Sequence, residues 1–160
     1  MIDDDVKIVA LVLIGLTMMA TIYPVFTASF TPEAFSEIAV LGPSRLLKDY
    51  PKTIAVDESI DLFLFVKNLE GKVEYYRVYV KLDQTGDTSA KMPLDVTPLA
   101  KYDFVLKNVE NATLPINISV NHEGDKQRLV FELYVYDRDN LEFDYKGVWA
   151  HIWLNVTKTS

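Results

Sequence analysis

The sequence contains no cysteine. Disulfides, thiolate nucleophiles and cysteine-based zinc sites are therefore excluded. A blue-copper centre, which needs a thiolate ligand, is excluded with them. Histidine is almost as scarce: His122, in an acidic turn, and His151, beside the last apolar run, are the only two. Nucleophilic catalysis needs a nucleophile, a base and an orienting group converging in a cleft, and their spacing suggests no such convergence. Positive charge is short as well, with 16 Lys and Arg against 23 Asp and Glu and a formal net charge of −7. That balance repels phosphate backbones, so no nucleic acid is expected as a partner. It also disfavours a hold on anionic lipid through clustered basic residues. No catalytic residue, metal ligand or cofactor is assigned, and the chain reads as a non-enzyme.

Charge of either sign is missing from Ile8 to Phe30, which reads IVALVLIGLTMMATIYPVFTASF. A bilayer core about 30 Å thick needs roughly 20 apolar residues in a helix, and in lipid a helix satisfies all its own backbone groups. Residues 6–30 are read as one transmembrane helix, after a cytoplasmic tail at 1–5 and before an extracytoplasmic domain at 31–160. A cleaved signal peptide has a basic start and a shorter apolar core. Here the start is Asp3-Asp4-Asp5 with only Lys7, so an uncut signal anchor is the reading, although Thr27-Ala28-Ser29 would serve as a cleavage site. Ala10, Ile14, Thr17, Thr21, Pro24 and Ala28 recur at helical spacing on one face. Small residues on such a face let a second membrane helix approach closely, so this stripe is read as partner-binding. Leu11, Met18, Ile22 and Val25 on the opposite face suit lipid.

After Phe30 the apolar period is 2, not 3.6. Phe35 to Leu41 reads as the first strand, ended by Gly42-Pro43, with an irregular connection over Ser44 to Pro51. Ile60, Leu62, Leu64 and Val66 alternate with polar or aromatic residues, and so do Tyr76, Val78, Val80 and Leu82. With Asn68-Leu-Glu-Gly71 between them, these two runs are expected to form a hairpin. Further sets are Tyr102, Phe104 and Leu106; then Leu114, Ile116, Ile118 and Val120; then Leu129, Phe131, Leu133 and Val135; and last Ile152, Leu154 and Val156. The expectation is an all-β antiparallel sandwich of about seven strands.

Asn111-Ala-Thr113, Asn117-Ile-Ser119 and Asn155-Val-Thr157 are N-glycosylation sequons, which places N-linked glycans among the expected partners. Strand parity turns Asn117 and Asn155 away from the core. The same parity turns Phe63, Phe65, Tyr75, Tyr79, Tyr134, Tyr136 and Trp153 outward. Phe63, Phe65, Tyr134, Tyr136 and Trp153 are singled out as partner-binding, because exposed aromatic patches mark interfaces; cross-strand pairing on an ordinary sheet surface is the alternative. The acidic stretch Asp137, Asp139, Asn140, Glu142 and Asp144 reads as a solvated loop. The twelve-residue calcium loop needs a ligand and then glycine where Leu141 and Glu142 stand.

Several motifs in order carry a resemblance. They are Phe35-Ser-Glu-Ile-Ala-Val-Leu-Gly-Pro43, Asp49-Tyr-Pro51, Ile54-Ala-Val-Asp-Glu58, Phe65-Val-Lys-Asn-Leu-Glu-Gly71 and Tyr76-Arg-Val-Tyr-Val80, then Leu129 to Tyr134 and Ile152 to Val156. Together they resemble the archaeal membrane proteins grouped as domain-of-unknown-function family sixteen-sixteen. The chain departs from that pattern at Asp57, where the family usually has glycine, and in having one membrane segment where many members have several. The resemblance implies an immunoglobulin-like exterior domain on a membrane anchor and no known activity. The expected role is a non-catalytic accessory or structural subunit of a membrane complex. It would sit single-pass in the cell membrane, amino terminus inside, touching lipid and other membrane subunits. A cell-surface filament, coat or adhesion subunit is the second reading, and a sugar- or ligand-binding receptor domain the third.

Overall fold

A computed structural model describes residues 3–28 and 33–158 of the chain. The Pro32 turn and the last residues of the apolar run, Ser29 and Phe30, lie outside the described residues, as do the side chains of Val25, Thr27 and Ala28. The chain forms two compact units, residues 1–33 and 34–160.

The first unit is helix α1, Asp4–Ala28. Asp4 and Asp5 sit in its first turn, where negative charge complements the helix dipole. Asp4 also takes the Lys7 ammonium at 2.7 Å. The Thr17 hydroxyl donates to the Leu13 carbonyl at 2.7 Å, and the Thr21 hydroxyl to the Thr17 carbonyl at 3.0 Å, so neither needs an outside partner. Asp4–Pro24 has a mean hydropathy of 2.1, long and apolar enough to cross a membrane. Its described side chains are all exposed.

Among the described residues the second unit has eight strands: β1 Phe35–Leu41, β2 Thr53–Ala55, β3 Ser59–Leu69, β4 Glu74–Asp83, β5 Ala100–Leu106, β6 Asn111–Ser119, β7 Gly124–Asp137 and β8 Glu142–Thr157. One sheet has the order β1-β3-β6 and the other β2-β8-β7-β4-β5. Three strands facing a sheet centred on β4, β7 and β8 is the immunoglobulin-like arrangement. The core between them is built from the expected alternation: Ile60, Leu62, Leu64 and Val66 from β3 meet Tyr76, Val78 and Val80 from β4, Leu129, Phe131 and Leu133 from β7, and Ile152, Leu154 and Val156 from β8.

The expected hairpin is not present. β3 pairs with β1 and β6, and β4 with β5 and β7, so the chain changes sheet between them. Their apolar faces meet across the core instead of lying side by side. Asn68 holds the crossover: fully buried, it donates from Nδ2 to the carbonyls of Lys72 (2.7 Å) and Leu106 (2.8 Å), while Oδ1 accepts from the Glu70 amide at 2.9 Å. Gly71, at φ 80°, completes the turn in a conformation that costs glycine nothing.

Other expectations change as well. The three-residue β2, parallel to β8, falls in a stretch with no readable alternation. The acidic loop shrinks to 138–141, because Asp137 ends β7 while Glu142 and Asp144 belong to β8. A register shift between Leu133 and Tyr134, with Gly147 at φ 76°, breaks the period of β8 and hides its first half from a pattern search. Leu114, expected in the core, is 37% exposed on β6.

The five-stranded sheet also buries charge on its outer side. Lys81, Asp83, Arg128 and Glu132 point away from the core, yet all are buried. Segment 84–99 lies over them as a strap. The Leu94 amide donates to Glu132 Oε1 at 2.6 Å, and the Leu94 carbonyl accepts from Lys81 Nζ at 2.6 Å. Lys81 pairs with Glu132 at 2.8 Å. Arg128 donates to Asp83 from Nε (2.8 Å) and Nη2 (2.6 Å), and also to the Asp87 carbonyl. Burial by itself would raise the Asp83 pKa; hydrogen bonds from Thr85 and Arg128 outweigh it and hold the carboxyl below its ordinary value.

Two predictions follow from these positions. Ile116→Ala should cost about 2–5 kcal/mol in chemical denaturation, whereas Leu114→Ala, two residues away with the same parity, should cost less than half as much. Asp83→Asn leaves Arg128 buried without its counter-charge and should cost about 3–5 kcal/mol at neutral pH. Because the folded Asp83 pKa is depressed, its contribution is present above the ordinary aspartate value of about 3.9 and lost as pH falls through the folded value. The parent should therefore lose more stability between pH 7 and pH 3 than Asp83→Asn does, as measured by urea midpoints.

Candidate interaction surface

The outward aromatics fall on two opposite faces. On the five-stranded sheet, Tyr75 from β4, Tyr136 from β7 and Phe143 from β8 form one ring cluster, and Tyr79, Tyr134 and Tyr145 from the same strands a second, with Arg77 lying over a ring of each. Tyr79 meets Tyr134 edge-on at 5.0 Å, Tyr134 meets Tyr145 at 5.4 Å, and Tyr75 meets Phe143 at 5.0 Å. Tyr136 meets Phe143 at 5.2 Å. Arg77 lies 4.1 Å over the Phe143 ring and donates to both Asp103 oxygens, at 2.7 and 2.9 Å. The Tyr134 hydroxyl donates to Glu132 at 3.1 Å; burial, followed by the Glu132 charge, pushes its pKa well up. These rings are half-buried against one another, the geometry of cross-strand pairs. The buried Tyr145 hydroxyl has no hydrogen-bond partner among the described residues.

A second row on the same sheet stands freer. Trp149, His151 and Trp153 alternate along β8, with ring centroids 5.3 and 5.6 Å apart. Trp149 and Trp153 are 38% and 40% exposed. Arg128 lies 5.8 Å from the Trp153 ring, and burial followed by the Arg128 charge lowers the His151 pKa. A groove of about 780 Å³ runs beside this row, lined by His151 and Trp153 with Tyr50, Lys52, Lys126 and Asn155. Backbone direction sharpens the picture. The Asn155 amide donates to the Lys52 carbonyl, away from β7, so Trp149, His151 and Trp153, of the same parity, turn their amides and carbonyls to that side too. Trp149 was missed in the sequence because the last apolar set was begun at Ile152, although Val148 and Ala150 continue its alternation on the same side of the bulge.

Phe63 and Phe65 lie on the other face, on β3 of the three-stranded sheet. The five singled-out aromatics therefore make no single surface: Tyr134, Tyr136 and Trp153 share one sheet, Phe63 and Phe65 the other. Phe63 stands opposite Pro115 with Arg45 4.7 Å over its ring, and Phe65 stands opposite Thr113. Asn111 and Asn117 are exposed on β6 beside them, and Asn117 donates to Asp61 at 2.7 Å. Asn155 is half-buried and accepts from the Lys126 amide at 2.8 Å. On α1, the side chains of Ala10, Ile14, Thr17, Thr21 and Pro24 are all exposed. Among the described residues, no three His, Asp or Glu side chains converge to hold a metal ion.

Comparison with solved structures finds distant likenesses. The CARDB domain of a Pyrococcus furiosus protein, solved with di-metal ions, is 16% identical with a TM-score of 0.49, covering 79% of this chain and 96% of that one. The human seminal-plasma complex of zinc 2-glycoprotein with prolactin inducible protein contributes a chain 11% identical, with a TM-score of 0.45, over 81% of this chain and 99% of that chain. A Listeria innocua β-glucosidase is 16% identical with a TM-score of 0.42, over 78% of this chain but 16% of the enzyme. No curated protein matches. With its sandwich matched almost end to end by a family profile covering residues 30–155, the chain belongs to the family described as a domain of unknown function, DUF1616.

Proposed function

We propose that this protein is a non-catalytic accessory or structural subunit of a membrane complex, held in the cell membrane by α1 with its amino terminus inside and its sandwich outside. The observation that carries this reading is the helix itself. Its Asp4–Pro24 span presents apolar side chains on every side, none buried within the chain, and lipid or a second membrane helix is the environment that removes such a surface from water. The stripe Ala10, Ile14, Thr17, Thr21 and Pro24 supplies the close-packing face, since its threonines satisfy their own hydroxyls. The outward positions of Asn111, Asn117 and Asn155 support an extracytoplasmic domain, where glycans could be carried without entering the core.

A second reading is favoured by the Trp149–His151–Trp153 row and its groove. Aromatic side chains beside a few convergent polar groups form a recognition site for a small or extended ligand, and the sandwich would then act as a receptor domain.

Two measurements test these assignments. Purification in mild detergent should bring down other subunits in fixed ratio, and Thr17→Ile with Thr21→Ile should reduce that recovery without lowering the thermal midpoint of the sandwich. A lone monomer would overturn the subunit reading. Intact mass of protein from the native cell should exceed the peptide mass by at least one glycan; bare peptide at all three asparagines would overturn the glycoprotein assignment.

A further inference from the structure

The strand register brings four features to one end of the sandwich. Phe35 opens β1 opposite Leu69, Glu74 pairs with Leu106, Lys67 with Asn111, and Asp137 with Glu142. The start of β1, the 70–73 link and the turns 107–110 and 138–141 therefore lie together, at the end where the chain arrives from α1. Each carries an exposed apolar side chain: Phe35 (46%), Val73 (45%), Val109 (63%) and Leu141 (73%). Each of the three turns also carries an exposed cation, namely Lys72, Lys107 and Arg138.

Folding does not explain these apolar tips. Val109 and Leu141 adopt φ 67° and 57°, a region where glycine or asparagine is ordinarily chosen and a β-branched residue is an outlier. Neither is buried, so neither repays that conformation by packing in the core. Residues held in such conformations cluster at functional surfaces. The number of residues back to the helix adds a covalent limit: the seven Cα steps from Ala28 to Phe35 span at most about 25 Å. An aliphatic side chain next to a long cationic one suits a membrane interface, with the apolar group among the upper acyl chains and the cation reaching back to lipid phosphate.

We propose that this end of the sandwich rests on the bilayer, with Val73, Val109 and Leu141 inserted at the lipid interface and Lys72, Lys107 and Arg138 at headgroup level. Glu110 and Asp139 in the same turns keep the end from being a basic patch, so the contact depends on the apolar tips and works on zwitterionic lipid. This inference rests on α1 being a membrane anchor.

The natural absence of cysteine makes single labels clean. Leu141→Cys and Val109→Cys, each bearing a nitroxide, would be placed in the full chain, one copy per phosphatidylcholine nanodisc. Both labels should be several-fold less accessible to a polar nickel relaxant, and more accessible to oxygen, than a label at Val96→Cys in the strap at the opposite end. Adding Val109→Gly to the Leu141→Cys chain should weaken that protection while leaving the thermal midpoint equal or higher, because glycine fits the positive φ. Labels at 109 and 141 as exposed to nickel as that at 96 would overturn the inference while leaving the anchor intact. A midpoint that falls with Val109→Gly would also overturn it, by making the tip structural. A chain that does not enter nanodiscs at all would overturn the anchor reading, and this one with it.

Discussion

One buried amide, Asn68, joins the parts of the sandwich that strand pairing leaves separate. Its side chain binds carbonyls on the 70–73 link and at the end of β5, while its backbone amide and carbonyl bond Glu110 and Val109 in the next turn. The β3–β4 crossover and the β5–β6 crossover, two of the five places where the chain changes sheet, are thus tied to a single residue. A chain without disulfides has no covalent means of fixing that alignment. Every core contact between β3 and β4 depends on the alignment, because their apolar faces meet only if both crossovers close at the same level.

The strap over the outer side of the five-stranded sheet solves a different problem by similar means. Its segment from 84 to 99 has little apolar surface of its own to bury, so Leu94 is held by backbone bonds to Lys81 and Glu132, and Asp87 by Arg128. Buried pairs of this kind contribute modestly when intact and cost heavily when one partner is lost. They therefore act more as a specification of where the strap lies than as a reserve of stability. Covering this half of the sheet also limits what remains open for recognition: the tyrosine cluster is occupied with itself, and the Trp149–His151–Trp153 row is the part left facing outward.

Much of this was legible in the sequence, and the limits have a physical form. Period-2 alternation states which side of a strand is apolar, and Leu62, Tyr76, Phe131 and Leu154 all fall inside as that rule requires. It does not state which strand lies alongside, so β3 and β4, separated by an apparent hairpin turn, were assigned to one sheet. It also equates polar with solvated, which fails at Lys81, Asp83, Arg128 and Glu132 because a loop distant in sequence covers them. The bulge at Leu133–Tyr134 concealed the first half of β8, whereas Trp149, on the regular side of it, escaped because the apolar set was begun at Ile152 and not at Val148. Among the candidate residues, parity placed Phe63, Phe65, Tyr134, Tyr136 and Trp153 outward correctly, but only sheet topology separates the two phenylalanines from the rest.

That separation constrains how the domain can be used. Aromatics on one face would favour a single broad partner; aromatics on opposite faces favour contacts of different kinds. The phenylalanine face lies among sequons, with Asn111 and Asn117 on the adjacent strand, and a glycan at either would screen it from a large protein surface. The β8 row lies beside a groove with Lys52, Lys126 and Asn155, and its backbone amides and carbonyls face the same side. Polar backbone groups at an open strand edge are sites where another chain or ligand can bind, and natural sheets commonly protect them. Here the bulge and Lys146 blunt the first half of β8, and among the described residues no strand pairs with Trp149 to Trp153 on the side away from β7. That stretch also carries both tryptophans of the chain, 38% and 40% exposed, so these indoles are the aromatic surface that the packing of the fold accounts for least.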